Sequence, residues 1–211
     1  MKCIIIANGI IKNYGYLRNL VNQSDVIVCA DGGTKHLRKI NITPDIVIGD
    51  LDSINSEDKN FLAEKRVKII QYPEKKDFSD TELAVEWAIK NKADYITLTG
   101  TTGDRLDHTL SNIFLMKTIS AQGVACRMID DHNEIYLVSK IINLKGKPGD
   151  LLSIIPVTEK VTGLTLKGLE YPLENAGISM GSSMGISNCF ADDQAQIKIK
   201  TGIILVTKSR D

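Results

Sequence analysis

The chain has no apolar run that approaches the ~20 residues of a membrane-spanning helix, so nothing in it reads as a transmembrane segment. It has no excess charge either: 26 basic residues balance 26 acidic ones. Bulk charge therefore advertises neither nucleic acid nor a membrane surface as a partner, and any metal or phosphate site must be a local constellation. The cysteines Cys3, Cys29, Cys126 and Cys189 are far apart and form no C-x-x-C pair. Three sit in or beside apolar, strand-like runs, which favours buried reduced thiols in a cytosolic protein over disulfides. The N-terminal apolar run is cut at Asn8-Gly9, too short for a signal peptide's apolar region, and the expected location is the cytoplasm. His36, His108 and His132 lack zinc spacing with cysteines or one another. There is no G-x-x-x-x-G-K-[ST], no G-x-G-x-x-G and no local Ser-His-Asp or Cys-His arrangement. No internal repeat or low-complexity segment stands out.

What is present is an alternation. Strand-like runs are expected at Cys3–Ala7, Asp25–Ala30, from Ile46, at Val67–Gln71 and at Tyr95–Leu98. Helical patterns fall between them at Tyr14–Asn22, Thr34–Ile40, Ser56–Lys65, Ser79–Asn91 and Arg105–Gln122. Ser79-Asp80-Thr81-Glu82 fits a capping box. Leu106, Leu110, Ile113, Phe114 and Met116 suit one buried face of the last helix. Such alternation argues an α/β domain with a parallel sheet covered by helices. From Ala125 onward no helix is convincing. Eight short apolar runs separated by turn signals suggest an antiparallel sandwich or barrel-like domain. The expected division is 1–124 and 125–211, with the break between Gly123 and Asn133.

The chain is organised around Ile46 to Ser53, I-V-I-G-D-L-D-S. A buried strand ends at Gly49, and Asp50 and Asp52 follow. If the extended conformation persists, an i, i+2 pair points to one side. Two such charges repel by roughly 4 kcal/mol at 4 Å and an effective dielectric of about 20. A hard divalent cation with oxygen ligands offsets that; solvated aspartates in a polar turn are the bland alternative. The other acidic residues repeat the placement. Asp31 follows the second strand, Asp77 and Asp80 the fourth, and Asp107 lies shortly after the fifth. In a parallel sheet the strand C-termini share an edge, so these loops should converge. Singly, each has a structural reading: Asp31 could cap a helix, Asp80 could answer a helix dipole, and Asp107 could pair with Arg105. Jointly they point to a metal–phosphate site. Gly32-Gly33 and Gly100 to Gly103 are candidate phosphate cradles, and ordinary turns are the alternative. Arg105 could bind phosphate oxygens in pairs, and His108 beside Asp107 could join as a ligand or supporting contact. In the second half, Tyr171 could stack on an aromatic ligand, and Ser187 and Asn188 could hydrogen-bond a heterocycle; hairpin loops are the alternative.

The ordered set Asp31-Gly32-Gly33, Gly49-Asp50-Leu51-Asp52-Ser53, Asp77-Phe78-Ser79-Asp80, Gly100-x-x-Gly103-x-Arg105-x-Asp107-His108-x-x-x-Asn112 and Gly185-Ile186-Ser187-Asn188 resembles the thiamine pyrophosphokinase family across nearly the whole chain. The resemblance implies a Rossmann-like N-terminal catalytic domain and a C-terminal antiparallel β-sandwich that binds thiamine. It implies transfer of pyrophosphate from ATP to thiamine with Mg²⁺, and a homodimer with active sites between subunits. Carried over by position, Asp50, Asp52 and Asp80 would form the magnesium and pyrophosphate centre, with Asp80 or Asp107 accepting the hydroxyl proton. Asp31, Gly32, Gly33, Asp77, Gly100, Gly103, Arg105 and His108 would serve the nucleotide, with Asp107 beside them. Tyr171, Ser187 and Asn188 would serve thiamine. Tyr171 stands where some relatives carry tryptophan, and Cys189 where bacterial relatives often carry an acidic residue. A binding module without turnover, and a metal-dependent phosphohydrolase on a similar sheet, are the competing classes.

Overall fold

A computed structural model describes residues 1–210 of the 211. The chain divides into two compact units, Met1–Asp131 and His132–Asp211. Among the described residues no helix is long and apolar enough to cross a membrane.

The first unit runs β1 (Lys2–Ile6), α1 (Tyr14–Asn22), β2 (Val26–Ala30), α2 (Thr34–Lys39), β3 (Ile46–Gly49), α3 (Ser56–Glu64), β4 (Lys68–Gln71), α4 (Asp80–Lys90), β5 (Tyr95–Thr99), α5 (Leu106–Ala121) and β6 (Ala125–Ile129). Its strands are parallel, in the order β6-β5-β1-β2-β3-β4. Helices α1, α3 and α4 start where a short polar side chain can take an orphan N–H. Asn13 accepts from Tyr16, Asn55 from Asp58 and Ser79 from Glu82. The strands buried on both faces read as near-continuous aliphatic runs, as parallel strands do. Ile4, Ile6, Cys29 and Val47 pack with Leu17, Leu20, Leu37 and Leu62 from the helices in one core.

The first unit continues through β6, past residue 124 and within the window of Gly123 to Asn133. Ala125–Ile129 pairs parallel with β5, register Tyr95↔Ala125 to Thr99↔Ile129, and belongs to the first unit. The long helix α5 makes it parallel, because such a crossover returns the chain in the same direction.

On α5 the expected Met116 is buried, but the rest of the expected face does not form the buried stripe. Its buried residues are Asn112, Leu115, Met116 and Ile119. Leu106 is 67% exposed, Leu110 43% and Phe114 54%. Both stripes have helical spacing, so the period alone could not choose between them.

The second unit is built of β7 (Asn133–Val138), β8 (Ile141–Lys145), β9 (Leu151–Pro156), β10 (Lys160–Lys167), β11 (Leu173–Ser179), β12 (Asn188–Cys189), β13 (Gln194–Lys198) and β14 (Ile204–Ser209). They form two antiparallel layers, β12-β9-β14-β7 and β11-β10-β13-β8. Leu152, Ile154, Ile204 and Val206 from one layer share a core with Val161, Leu164, Ile178 and Ile197 from the other. That is the expected sandwich. Strand β11 was not among the expected strands: L-E-N-A-G-I-S buries one side chain, Ile178, and carries no alternation.

Candidate active site

The sheet order fixes where a ligand can enter the first unit. From β1 the chain winds outward through β2, β3 and β4, then returns to place β5 and β6 on the other side. The strand order reverses between β1 and β5, and open α/β sheets hold ligands beyond the C-terminal strand ends at such a point. A cavity of about 660 Å³ lies there. Its walls come from the loops after all five strands β1 to β5, including Asn8, Asp31, Ser53, Lys76, Asp80, Thr101 and Arg105.

The loops after β1 and β5 are zipped together. Ala7 N–H donates to the Thr99 carbonyl, Gly9 N–H to Gly100 and Ile10 N–H to Thr102, at 2.6–2.9 Å. Gly100 has φ +63°, and a Cβ there would strike the Ala7 carbonyl. The buried Asn112 donates its amide to the Thr101 carbonyl at 2.9 Å and pins the same loop. His36 reaches up from α2 so that Nε2 lies 2.9 Å from the Gly9 carbonyl and Nδ1 3.2 Å from Tyr14 Oη. Burial pushes its pKa down to about 4.

Asp31, Asp50 and Asp52 bring one carboxylate oxygen each to within 4.8 Å of one another. The convergence of Asp50 and Asp52 does not come from strand pleat. The strand ends at Gly49, and Leu51 turns the chain with φ +69°. The Asp52 N–H then donates to Asp50 Oδ1 at 3.3 Å. Asp31 is itself left-handed, φ +45°, and 5% exposed. Its Oδ1 is buried with no hydrogen-bond partner. A leucine at positive φ and an orphaned buried carboxylate oxygen are both costly, and strain of this kind collects at functional sites. Close approach of β3 keeps the aspartates near. A Cβ on Gly49 would lie 2.9 Å from Asp31 Cβ and 3.1 Å from Asp80 Oδ1.

Asp80 stands beside this group but is tied elsewhere. Lys76 Nζ lies 2.5 Å from Asp50 Oδ2 and 3.0 Å from Asp80 Oδ1. The Lys76 hydrogen bond holds the Asp50 carboxyl below the usual carboxylate range. Burial raises that of Asp80, against the pull of Lys76. An unpartnered buried oxygen within a set of three carboxylates suits a hard divalent cation, so the residues fit magnesium.

The remaining expected residues separate into groups. Gly100, Gly103, Arg105 and His108 line the cavity. Arg105 forks onto Asp107, Nε to Oδ1 at 3.2 Å and an Nη to Oδ2 at 2.6 Å, and His108 Nε2 stands 4.0 Å from Asp107 Oδ2. The guanidinium holds the Asp107 carboxyl low. Gly32 and Gly33 are buried against the Asn8 side chain and the Ile6 carbonyl, behind the cavity wall. Asp77 is exposed and off the cavity lining.

In the second unit Tyr171 is 62% exposed. Ser187 is exposed with φ +55°, and its N–H donates to Ser153 Oγ at 3.0 Å. Asn188 is 2% exposed and spends its side chain internally. Its Oδ1 accepts from the Tyr171 and Cys189 N–H groups, and its Nδ2 donates to the Tyr171 carbonyl. Asn188 thus fixes the Tyr171 backbone and has little left to offer a ligand directly.

Two lysines outside every motif also belong to the site. Lys76 and Lys35 line the cavity, and Lys35 Nζ donates to the Asn8 carbonyl at 2.9 Å. Lys76 precedes Asp80 by four residues but lies in the loop before α4, so helical spacing gives no signal for the pair.

Comparison with known proteins places these features together. A family described as "Thiamin pyrophosphokinase, catalytic domain" matches residues 17–128, and one described as "Thiamin pyrophosphokinase, vitamin B1 binding domain" matches residues 139–204. The chain is 32% identical to the thiamine pyrophosphokinase of Bacillus subtilis over 214 residues, covering 100% of both chains. The crystal structure of thiamine pyrophosphokinase from Bacillus subtilis superposes with TM-score 0.89 at 29% identity, covering 100% of each chain. That of thiamin pyrophosphokinase from Geobacillus thermodenitrificans gives 0.88 at 29% identity, covering 100% of this chain and 98% of the other. With both domain types matched in order and full-length likeness in sequence and in fold, the chain belongs to the thiamine pyrophosphokinase family.

Proposed function

We propose that the protein transfers the pyrophosphoryl group of ATP to the hydroxyl of thiamine, giving thiamine diphosphate and AMP. The observation that carries this reading is the three-carboxylate group of Asp31, Asp50 and Asp52, of which Asp31 lines the cavity at the β1/β5 switch point. In the reaction the hydroxyl oxygen bonds to the β-phosphorus. The bond from that phosphorus to the α–β bridging oxygen breaks, and the oxygen leaves with AMP. Such transfer needs alignment and charge neutralisation more than covalent help.

Asp31, Asp50 and Asp52 would hold Mg²⁺, which supplies charge neutralisation of the phosphate oxygens when bound. Asp80, tied to Lys76, stands at the edge of this set rather than within it. The backbone of Gly100 to Gly103 and the cations Lys35 and Arg105 line the cavity and suit the triphosphate. Gly32 and Gly33 position Asp31 by packing. Of the two carboxylates expected to accept the hydroxyl proton, Asp80 is the better suited, because burial raises its pKa while Arg105 lowers that of Asp107. Tyr171 would stack on thiamine, with Ser187 beside it and Asn188 holding the tyrosine in place. The four cysteines are unpaired, which fits the expected cytoplasmic setting. A homodimer is supported by the exposed stripe Leu106, Leu110 and Phe114 on α5, an apolar face of the kind that associates.

The test is product analysis with ATP, thiamine and Mg²⁺. AMP and thiamine diphosphate are expected, and only when thiamine is present; ADP would sink the reading. Asp52→Asn should cut turnover by about 100-fold or more with an unchanged melting temperature.

A further inference from the structure

Within the carboxylate group Asp31 is buried and Asp50 is largely covered, while Asp52 is exposed. Both oxygens of Asp50 are engaged: Oδ1 accepts the Asp52 N–H, and Oδ2 accepts Lys76 Nζ at 2.5 Å. The same ammonium lies 3.0 Å from Asp80 Oδ1. The side chains of Lys76 and Asp50 are only 12% and 10% exposed, so water screens this pair weakly. Lys76 also lines the cavity, where its ammonium can turn toward an anionic guest. A divalent ion that needs Asp50 must therefore displace a resident positive charge or sit beside it. Two like charges a few ångströms apart in a partly buried site repel strongly.

We propose that Lys76 is a resident counter-cation that keeps the Asp31–Asp50–Asp52 site poorly receptive to free divalent ions until a polyphosphate is present. Without nucleotide, the ammonium bonds to Asp50, stays in ion-pair range of Asp80 and holds the loop after β4 near them. A polyphosphate in the cavity offers the ammonium other oxygens and lifts it from Asp50. The ion and the nucleotide then bind with positive coupling, and the site selects the metal–nucleotide complex over the bare metal. Lys76 acts here as a positioning and selectivity residue. The inference rests on the reading of the aspartates as a metal site.

The experiment is Mn²⁺ titration of the full chain without nucleotide, with free ion counted by paramagnetic resonance. Lys76→Gln keeps a donor to Asp50 but drops the charge, and Lys76→Met drops both. Each should bind Mn²⁺ about tenfold more tightly than the wild type, within the usual range of a coupling between neighbouring sites. Lys76→Arg, which keeps the charge, should stay close to wild type. Unchanged or weaker Mn²⁺ binding in the folded neutral variants would overturn the proposal. Adding Asp52→Asn to Lys76→Gln tells the two readings apart. Loss of the gained affinity supports the aspartate site, whereas retention means the ion binds elsewhere and overturns the metal reading itself.

Discussion

Single residues show how tightly the site's electrostatics are tied to the fold. Lys76 lowers the Asp50 carboxyl through a direct hydrogen bond, so the stabilisation from that pair is present near neutrality and is lost as pH falls through the depressed folded value. His36 behaves in the opposite sense to a salt-bridged histidine. Burial lowers it from 6.5 to about 4, so the folded protein keeps it neutral while the unfolded chain takes up a proton. Its contribution is intact above pH 6.5 and drains away as pH falls toward 4, by up to about 3 kcal/mol for a shift of that size. Because His36 meets the Gly9 carbonyl, the loss falls on a loop that lines the cavity. Chemical denaturation of His36→Gln at a series of pH values should give a shallower decline in stability between pH 6.5 and 4 than the wild type. Parallel declines would refute a buried neutral histidine. Asp50 and Asp52 could be singled out in the sequence because they follow an apolar run at i, i+2. Lys76 could not, because its importance lies in two partners, one of them 26 residues away.

At the scale of elements, what was legible followed from local chemistry. The helix expected at Tyr14–Asn22 has those bounds in the structure, where Asn13 caps it and Leu17, Leu20 and Val21 are its buried residues. Ser79-Asp80-Thr81-Glu82 announced α4 through its cap. The parts that escaped depend on what lies across from them. On α5, Leu106, Leu110 and Phe114 have the spacing of a buried stripe, yet the protein buries Asn112, Leu115, Met116 and Ile119. Strand β11 is a polar edge strand whose pairing with β10 carries register shifts, so alternation gave no signal. The loop bearing Tyr171 is also fixed from a distance, by the side chain of Asn188. Asn188→Ala should therefore lower stability by about 1–3 kcal/mol, the cost of leaving buried backbone groups unpaired. It should raise KM for thiamine more than it lowers kcat. An unchanged KM would mean that the Tyr171 loop does not serve thiamine.

For the whole molecule, two units of different architecture divide the labour that the family likeness implies. The parallel sheet places strand ends, and so acidic loops, along one edge; the sandwich presents Tyr171 from a hairpin-rich layer. The alternation of strands and helices made the first unit's class readable, and the recurring turn signals did so for the second. The exact division was not readable, since Ala125–Ile129 resembles any short strand until its parallel pairing with β5 is seen. The exposed stripe on α5 gives the expected dimer a testable form. Leu110→Glu with Phe114→Glu should yield a monomer by sedimentation with the fold intact, since both side chains are already about half exposed in the single chain. A double variant that sediments like the wild type would move the interface elsewhere.

The central claim is that loops from separate strands converge to align a triphosphate for attack by an alcohol at the β-phosphorus. Its most direct test is the reaction run in ¹⁸O-labelled water with ATP, thiamine and Mg²⁺, followed by mass spectrometry of every phosphorus-containing product. Unlabelled AMP and unlabelled thiamine diphosphate are expected in equal amounts, because the thiamine oxygen is the nucleophile and the bridging oxygen leaves with AMP. ¹⁸O in either product, or release of labelled phosphate or pyrophosphate without thiamine diphosphate, would contradict it.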